Sequence, residues 1–65
     1  MEEFFYSDER LDENELIEIK AALPGCDFGF TGLESRKGVE YKLTVEGHFV
    51  SLKILLALDK YGLHR

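Results

Sequence analysis

Sixty-five residues make one domain at most, and a chain this short buries only about 60% of the surface its unfolded form exposes, which leaves little material for a catalytic cleft. Thirteen acidic residues against eight basic ones give a net charge of −5, and residues 1–18 alone carry −7 while residues 19–65 carry +2. That asymmetry argues against nucleic-acid binding through the N-terminal third, because phosphate contacts need Lys and Arg, and the single cysteine, Cys26, excludes an internal disulfide.

Glu3–Ser7, with Phe4, Phe5 and Tyr6, reads as a short strand from its aromatic content. A helix follows. Asp12 suits its N-cap and Glu15 falls three residues later, a capping box with Asp in place of Ser or Thr. Leu11 and Leu16 stand where a hydrophobic staple would put them, and the acids of the first turn complement the helix dipole. Leu16, Ile19 and Leu23 share its inward face, and Pro24-Gly25 ends it. Cys26–Glu34 reads as a second strand, in which Gly29 and Gly32 point to a bulge. After the Ser35–Gly38 turn, Val39, Tyr41, Leu43 and Val45 alternate with Glu40, Lys42, Thr44 and Glu46, as in a strand with one buried and one wet face.

The last element carries the densest apolar run, from Phe49 to Tyr61. Its Leu, Lys and Ala content favours a helix beginning between His48 and Ser51, although Phe49–Leu55 also alternates like a strand. Gly62 at C′ and Leu63 at C″ predict a Schellman stop. On a helix the apolar side chains point nearly all round, so something must cover each side.

The order β-α-β-β-α predicts a single α+β domain over residues 1–65. It is a two-layer sandwich whose three-stranded, mainly antiparallel sheet carries both helices on one face, with the third strand between the first and second. This layout resembles a ferredoxin-like fold truncated of its last strand, which would leave the edge at Phe4–Tyr6 free to pair. The expected core is Phe4 or Phe5, Leu16, Ile19, Leu23, Phe28, Phe30, Tyr41, Leu43, Leu52 and Leu56.

No catalytic motif is visible. Cys26 stands beside Asp27 with no adjacent cation, a setting that opposes thiol reactivity and suits a buried structural cysteine. His48 and His64 lack metal-ligand spacing, Asp8–Asp12 lacks the alternation and glycine of a calcium loop, and no glycine is followed by the Lys-Ser/Thr of a phosphate loop. Phe28-Gly29-Phe30-Thr31 faintly resembles the aromatic core of RNA-recognition motifs, but on the second strand and with Asp27 in place of a basic residue. The chain is therefore read as a non-enzyme with no catalytic residue, cofactor or metal.

The acids Asp8, Glu9, Asp12, Glu13, Glu15 and Glu18 remain. They would keep a sticky small protein soluble, or they would imitate a phosphate backbone before a basic groove. With its small size, strong charge polarity, surplus apolar surface and absence of catalytic apparatus, the chain resembles the small acidic proteins that phages encode against host defence, including anti-CRISPR inhibitors. The resemblance implies a DNA-mimicking inhibitor whose partner is a protein with a basic nucleic-acid-binding surface, such as a CRISPR effector subunit, met in the host-cell cytoplasm. No direct nucleic-acid or membrane contact is expected, and neither a signal peptide nor a bilayer-spanning run is visible. The alternative is a homodimerising structural or regulatory module that joins two copies through the open sheet edge or the apolar helix, with Phe49 and Leu55 as contacts.

Overall fold

Alternation with period two lets a strand bury one face and wet the other, and the stretch that alternates best is the centre of this sheet. The computed structural model describes residues 1–65 as β1 (Glu2–Ser7), α1 (Glu13–Ala22), β2 (Asp27–Ser35), β3 (Gly38–Thr44) and α2 (Leu52–Lys60). The sheet order is β1-β3-β2, with β3 antiparallel to both neighbours. Phe5 and Phe30 both stand opposite Tyr41, and Phe28 stands opposite Leu43. The buried side chains of this inner face, Phe5, Phe28, Val39, Tyr41 and Leu43, form one core with Ile19 and Leu23 from the α1 side and Leu58 from α2. On the opposite face, Glu2, Phe4, Asp27, Thr31 and Lys42 are exposed. The radius of gyration, 10.8 Å, matches the ~10.7 Å expected of a folded chain this long, so no element hangs free.

Both helices begin and end on local chemistry. Asp12 accepts a hydrogen bond from the Glu15 N–H at 2.8 Å, and the Glu15 carboxylate accepts one from the Asp12 N–H at 3.3 Å. Leu11, just before this capping box, is buried, and Leu16 packs against the core. Ser51 caps α2 by accepting from the Ile54 N–H at 3.3 Å, so the segment is helical from Leu52 onward and the strand alternative for Phe49–Leu55 falls. At the far end the Leu63 N–H donates to the Leu58 carbonyl and the Gly62 N–H to that of Asp59, with Gly62 at φ +79°. These are the two bonds of a Schellman motif, and Leu63 is buried beneath it.

Tertiary packing corrects several expectations. Leu52 and Leu56 are not core residues but stand 70% and 61% exposed, and Leu58 is buried in their place. A nine-residue helix can press only one stripe onto a sheet, and the stripe chosen is Ile54, Leu55, Leu58 and Tyr61. Leu55 is therefore half-buried against the core and poorly placed for self-association, whereas Phe49 is 76% exposed. Phe5, not Phe4, is the inward ring of β1. Phe28 and Phe30 turn toward Tyr41, at centroid distances of 5.3 and 5.8 Å, so they offer no platform for stacked bases. Cys26 is half-exposed, not buried. The register of β2 against β3 shifts between Phe30 and Glu34, around Gly32, where an irregularity was expected.

The edge of β1 is not wholly free. After the Schellman turn, His64 reaches it and exchanges two backbone hydrogen bonds with Tyr6, at 2.6 and 2.9 Å. The Arg65 guanidinium donates to the Glu3 carboxylate at 2.7 Å beside this bridge. By the alternation of an antiparallel ladder, Glu2 and Phe4 also turn their backbone groups to this outer side, and there the tail does not pair with them.

Candidate protein-binding surface

The acidic residues gather where β1 passes into α1, and three hydrogen bonds hold that passage in shape. The Ser7 hydroxyl donates to the Glu9 carbonyl at 2.6 Å. The Leu11 N–H donates to the hydroxyl oxygen of Tyr41 at 2.9 Å, in the buried centre of the sheet. Asp12 then closes the loop by capping α1. Between these anchors Asp8, Glu9, Asp12 and Glu13 are all exposed, and the Asp8 side chain is 95% exposed.

The surface is strongly negative because its carboxylates lack cations. The three ion pairs of the molecule are Lys42–Glu2, His64–Asp8 and Arg65–Glu3. Of the loop acids only Asp8 has a basic neighbour, a histidine nitrogen at 3.8 Å that is charged only when protonated. Arg10, in the middle of the loop, lays its guanidinium over the Phe30 ring at 4.6 Å and does not bridge to the acids around it. A shallow concavity of about 360 Å³ opens here between Asp8–Leu11, Glu15 and Tyr61–Gly62.

The six acids singled out from the sequence therefore divide. Asp8, Glu9, Asp12 and Glu13 share one exposed end. Glu15 is half-buried and engaged in the capping box. Glu18 lies further along α1 and accepts a hydrogen bond from the Tyr61 hydroxyl at 3.3 Å. Burial first, then the Glu18 charge and this hydrogen bond, then the Glu15 charge, hold the Tyr61 phenol above its ordinary value of 10.0. On the opposite sheet face the Tyr6 hydroxyl donates to Glu40 at 3.0 Å, and that bond, helped by burial and the Glu40 charge, raises the Tyr6 phenol as well.

Some features had no sequence signal because they join distant segments. A second concavity, of about 530 Å³, lies along β2 between Lys20, Cys26, Gly29, Thr31 and Lys42. On the open sheet face Glu40 accepts from both Tyr6 and the Thr31 hydroxyl, the latter at 2.8 Å. No three His, Cys, Asp or Glu side chains converge into a metal-ligand set. No helix is long and apolar enough to cross a membrane.

No protein-family profile, curated protein or solved structure matches this chain. A functional reading has to come from its surface.

Proposed function

We propose that this chain is a non-enzymatic acidic binding protein that occupies a basic, nucleic-acid-binding surface of a protein partner, as DNA-mimicking inhibitors of the anti-CRISPR kind do. Its fold is read as a ferredoxin-like layout in which His64 holds the first rung of an otherwise missing fourth strand. The observation that carries the proposal is the cluster Asp8, Glu9, Asp12 and Glu13, exposed and paired with no Lys or Arg. Carboxylates held by a fixed loop and a helix start are preorganised, so ordering them on a partner costs little entropy. A concentrated field of one sign speeds encounter with a surface of the other and repels nucleic acid.

The test begins with capture of partners on the immobilised protein and their identification by mass spectrometry. A purified partner should release the protein when challenged with its own nucleic acid, and affinity should fall steeply as salt rises. Asp8→Lys combined with Glu9→Lys should weaken binding at least tenfold, mostly through slower association, with little change in melting temperature. Binding that ignores salt, nucleic acid and this double substitution would leave the acids as a solubilising coat.

A further inference from the structure

An edge strand leaves the N–H and C=O groups of every second residue without a ladder partner. In the central strand Val45 exchanges two hydrogen bonds with Met1, so Leu43 and Tyr41 also turn their backbone toward β1, and Thr44 and Lys42 turn theirs toward β2. Their β2 partners, Asp27 and Gly29, are used in this way, and Phe28 and Phe30 point their backbone groups outward. Nothing in the chain pairs with those groups. They open onto the concavity of about 530 Å³, which Cys26–Thr31 line along one side. Open edges are usually guarded by a lysine, a proline or a charge, and Phe28-Gly29-Phe30-Thr31 has none. The register shift that follows, between Phe30 and Glu34, bounds the open stretch without covering it. The β1 edge differs: it carries Glu2 and Glu3, and the tail pairs with it at Tyr6.

We infer that the outer edge of β2 is a self-association site that takes β2 of a second copy, antiparallel about Gly29, and joins the two three-stranded sheets into one. A two-fold axis at Gly29 sets Phe28 of each copy opposite Phe30 of the other, so every outward N–H and C=O of both gains a partner. On the inner face the Phe28 and Phe30 rings, which already pack on Tyr41, continue across the seam. At the axis Gly29 faces Gly29, where neither copy has a side chain to hold the strands apart. A chain of net charge −5 repels its own copies, so a self-contact belongs where charges balance. Beside the β2 edge they do. Arg10 over the Phe30 ring and Lys20 at the concavity offset Glu13 on α1 and Asp27 at the strand start. Glu13 and Lys20, two helical turns apart, share the side of α1 away from the Glu18–Tyr61 contact. The two-fold reverses α1, so Glu13 of each copy meets Lys20 of the other, a match that a strand from an unrelated protein would not make. Asp27 stands opposite uncharged Thr31. Behind the seam Lys42 is paired with Glu2, and Glu40 is engaged by the Tyr6 and Thr31 hydroxyls. Asp8, Glu9 and Asp12 take no part and stay free for the proposed partner. A short strand and one helix side from each copy make a footprint at the small end of specific interfaces, so the association should be weak and concentration-dependent.

Sedimentation equilibrium of the full chain, from about 10 µM to about 1 mM, should show a monomer–dimer equilibrium, and the Phe28 and Phe30 amides should gain exchange protection as the dimer forms. Gly29→Lys, whose Cβ meets open space, should weaken the dimer at least tenfold while the melting temperature of the dilute protein holds. Glu13→Lys and Lys20→Glu should each weaken pairing, and E13K/K20E, which exchanges the two charges, should recover it. With Cys26 replaced by Ser, Gly29→Cys should give a disulfide-linked dimer on oxidation, because facing Cα atoms about 4.5 Å apart lie within disulfide reach. Phe49→Cys in the same background, exposed but outside the seam, should crosslink at least tenfold more slowly. Each of four results would overturn the inference: a monomer at every concentration, a Gly29→Lys chain that pairs like wild type, a charge-exchanged chain that does not recover, or equal crosslinking at the two cysteines. A dimer whose Phe28 and Phe30 amides stay unprotected would also overturn it, and would place the contact on another face.

Discussion

Replacing Tyr41 by Phe tests whether the acidic loop is clamped from inside the molecule. The Tyr41 side chain is fully buried, and its hydroxyl oxygen accepts the Leu11 N–H at 2.9 Å, one residue before the α1 cap. The substitution keeps the ring, and with it the near-parallel stack on Phe28 at 5.3 Å, so little apolar burial is lost. What it removes is the acceptor, and a buried N–H left without one costs about 1–3 kcal/mol. A domain of this size has a total stability of only about 3–10 kcal/mol. Its unfolding entropy, about 2.1 cal/mol/K per residue, converts each kcal/mol into about 7 °C, so the melting temperature should fall by about 7–20 °C. Urea unfolding followed by circular dichroism should show a lower midpoint at unchanged slope, and amide exchange at Leu11 should quicken. A loss below about 0.5 kcal/mol, with Leu11 still protected, would refute the clamp, because the N–H would then have found another partner.

Gly38 has φ +121°, and a Cβ there would collide with the Ser7 carbonyl oxygen and stand 3.0 Å from its carbon. That backbone cannot retreat without disturbing the β1–β3 pairing at Ser7 and Val39, so Gly38→Ala should cost at least about 2 kcal/mol in a urea melt. Gly62→Ala, where φ is +79° but space is open, should cost about 1 kcal/mol, and the reverse order of the two would contradict the collision. Tyrosinate absorbance should show Tyr6 and Tyr61 ionising above 10.0, with Glu40→Gln returning Tyr6 toward that value and Glu18→Gln lowering Tyr61 only in part, since burial is its largest cause. Both phenols hold their protons more tightly folded than unfolded. The stability they add is therefore complete below pH 10.0 and is lost as pH rises through the folded values, and a melting temperature flat across that window would count against both bonds.

Features that span a few residues could be read from the sequence because their physics is local. The Asp12–Glu15 capping box and the Leu58–Leu63 stop each satisfy helix-end groups from within a single turn. The alternation of Val39, Tyr41 and Leu43 admits only one buried face, so the central strand and its inward side were legible as well. The acidic density of residues 1–18 needed only counting. Which of those acids are free did not follow from the count. Glu2 and Glu3 are drawn to Lys42 and Arg65, and Glu15 and Glu18 are engaged by the cap and by Tyr61.

Where several side chains of a segment are equally apolar, only tertiary packing could choose among them. In Phe4-Phe5 the choice follows from which ring the β3 register turns toward the helices. In α2, large apolar side chains stand on more than one side, and the fit against the common core buried Leu58 and left Leu52 and Leu56 in water. The Arg65–Glu3 and Leu11–Tyr41 bonds close across 62 and 30 residues. The sequence alone determined the Asp12–Glu15 cap, the Gly62 stop, the central strand and the charge asymmetry, because each depends on neighbours along the chain, whereas the start of α2 at Ser51 and its helical state over Phe49–Leu55 were settled by the structure. The free carboxylates, the exposed helix stripe and the pairing of the β1 edge at Tyr6 alone were decided only by the tertiary structure, because each depends on neighbours the chain meets after it has folded back on itself.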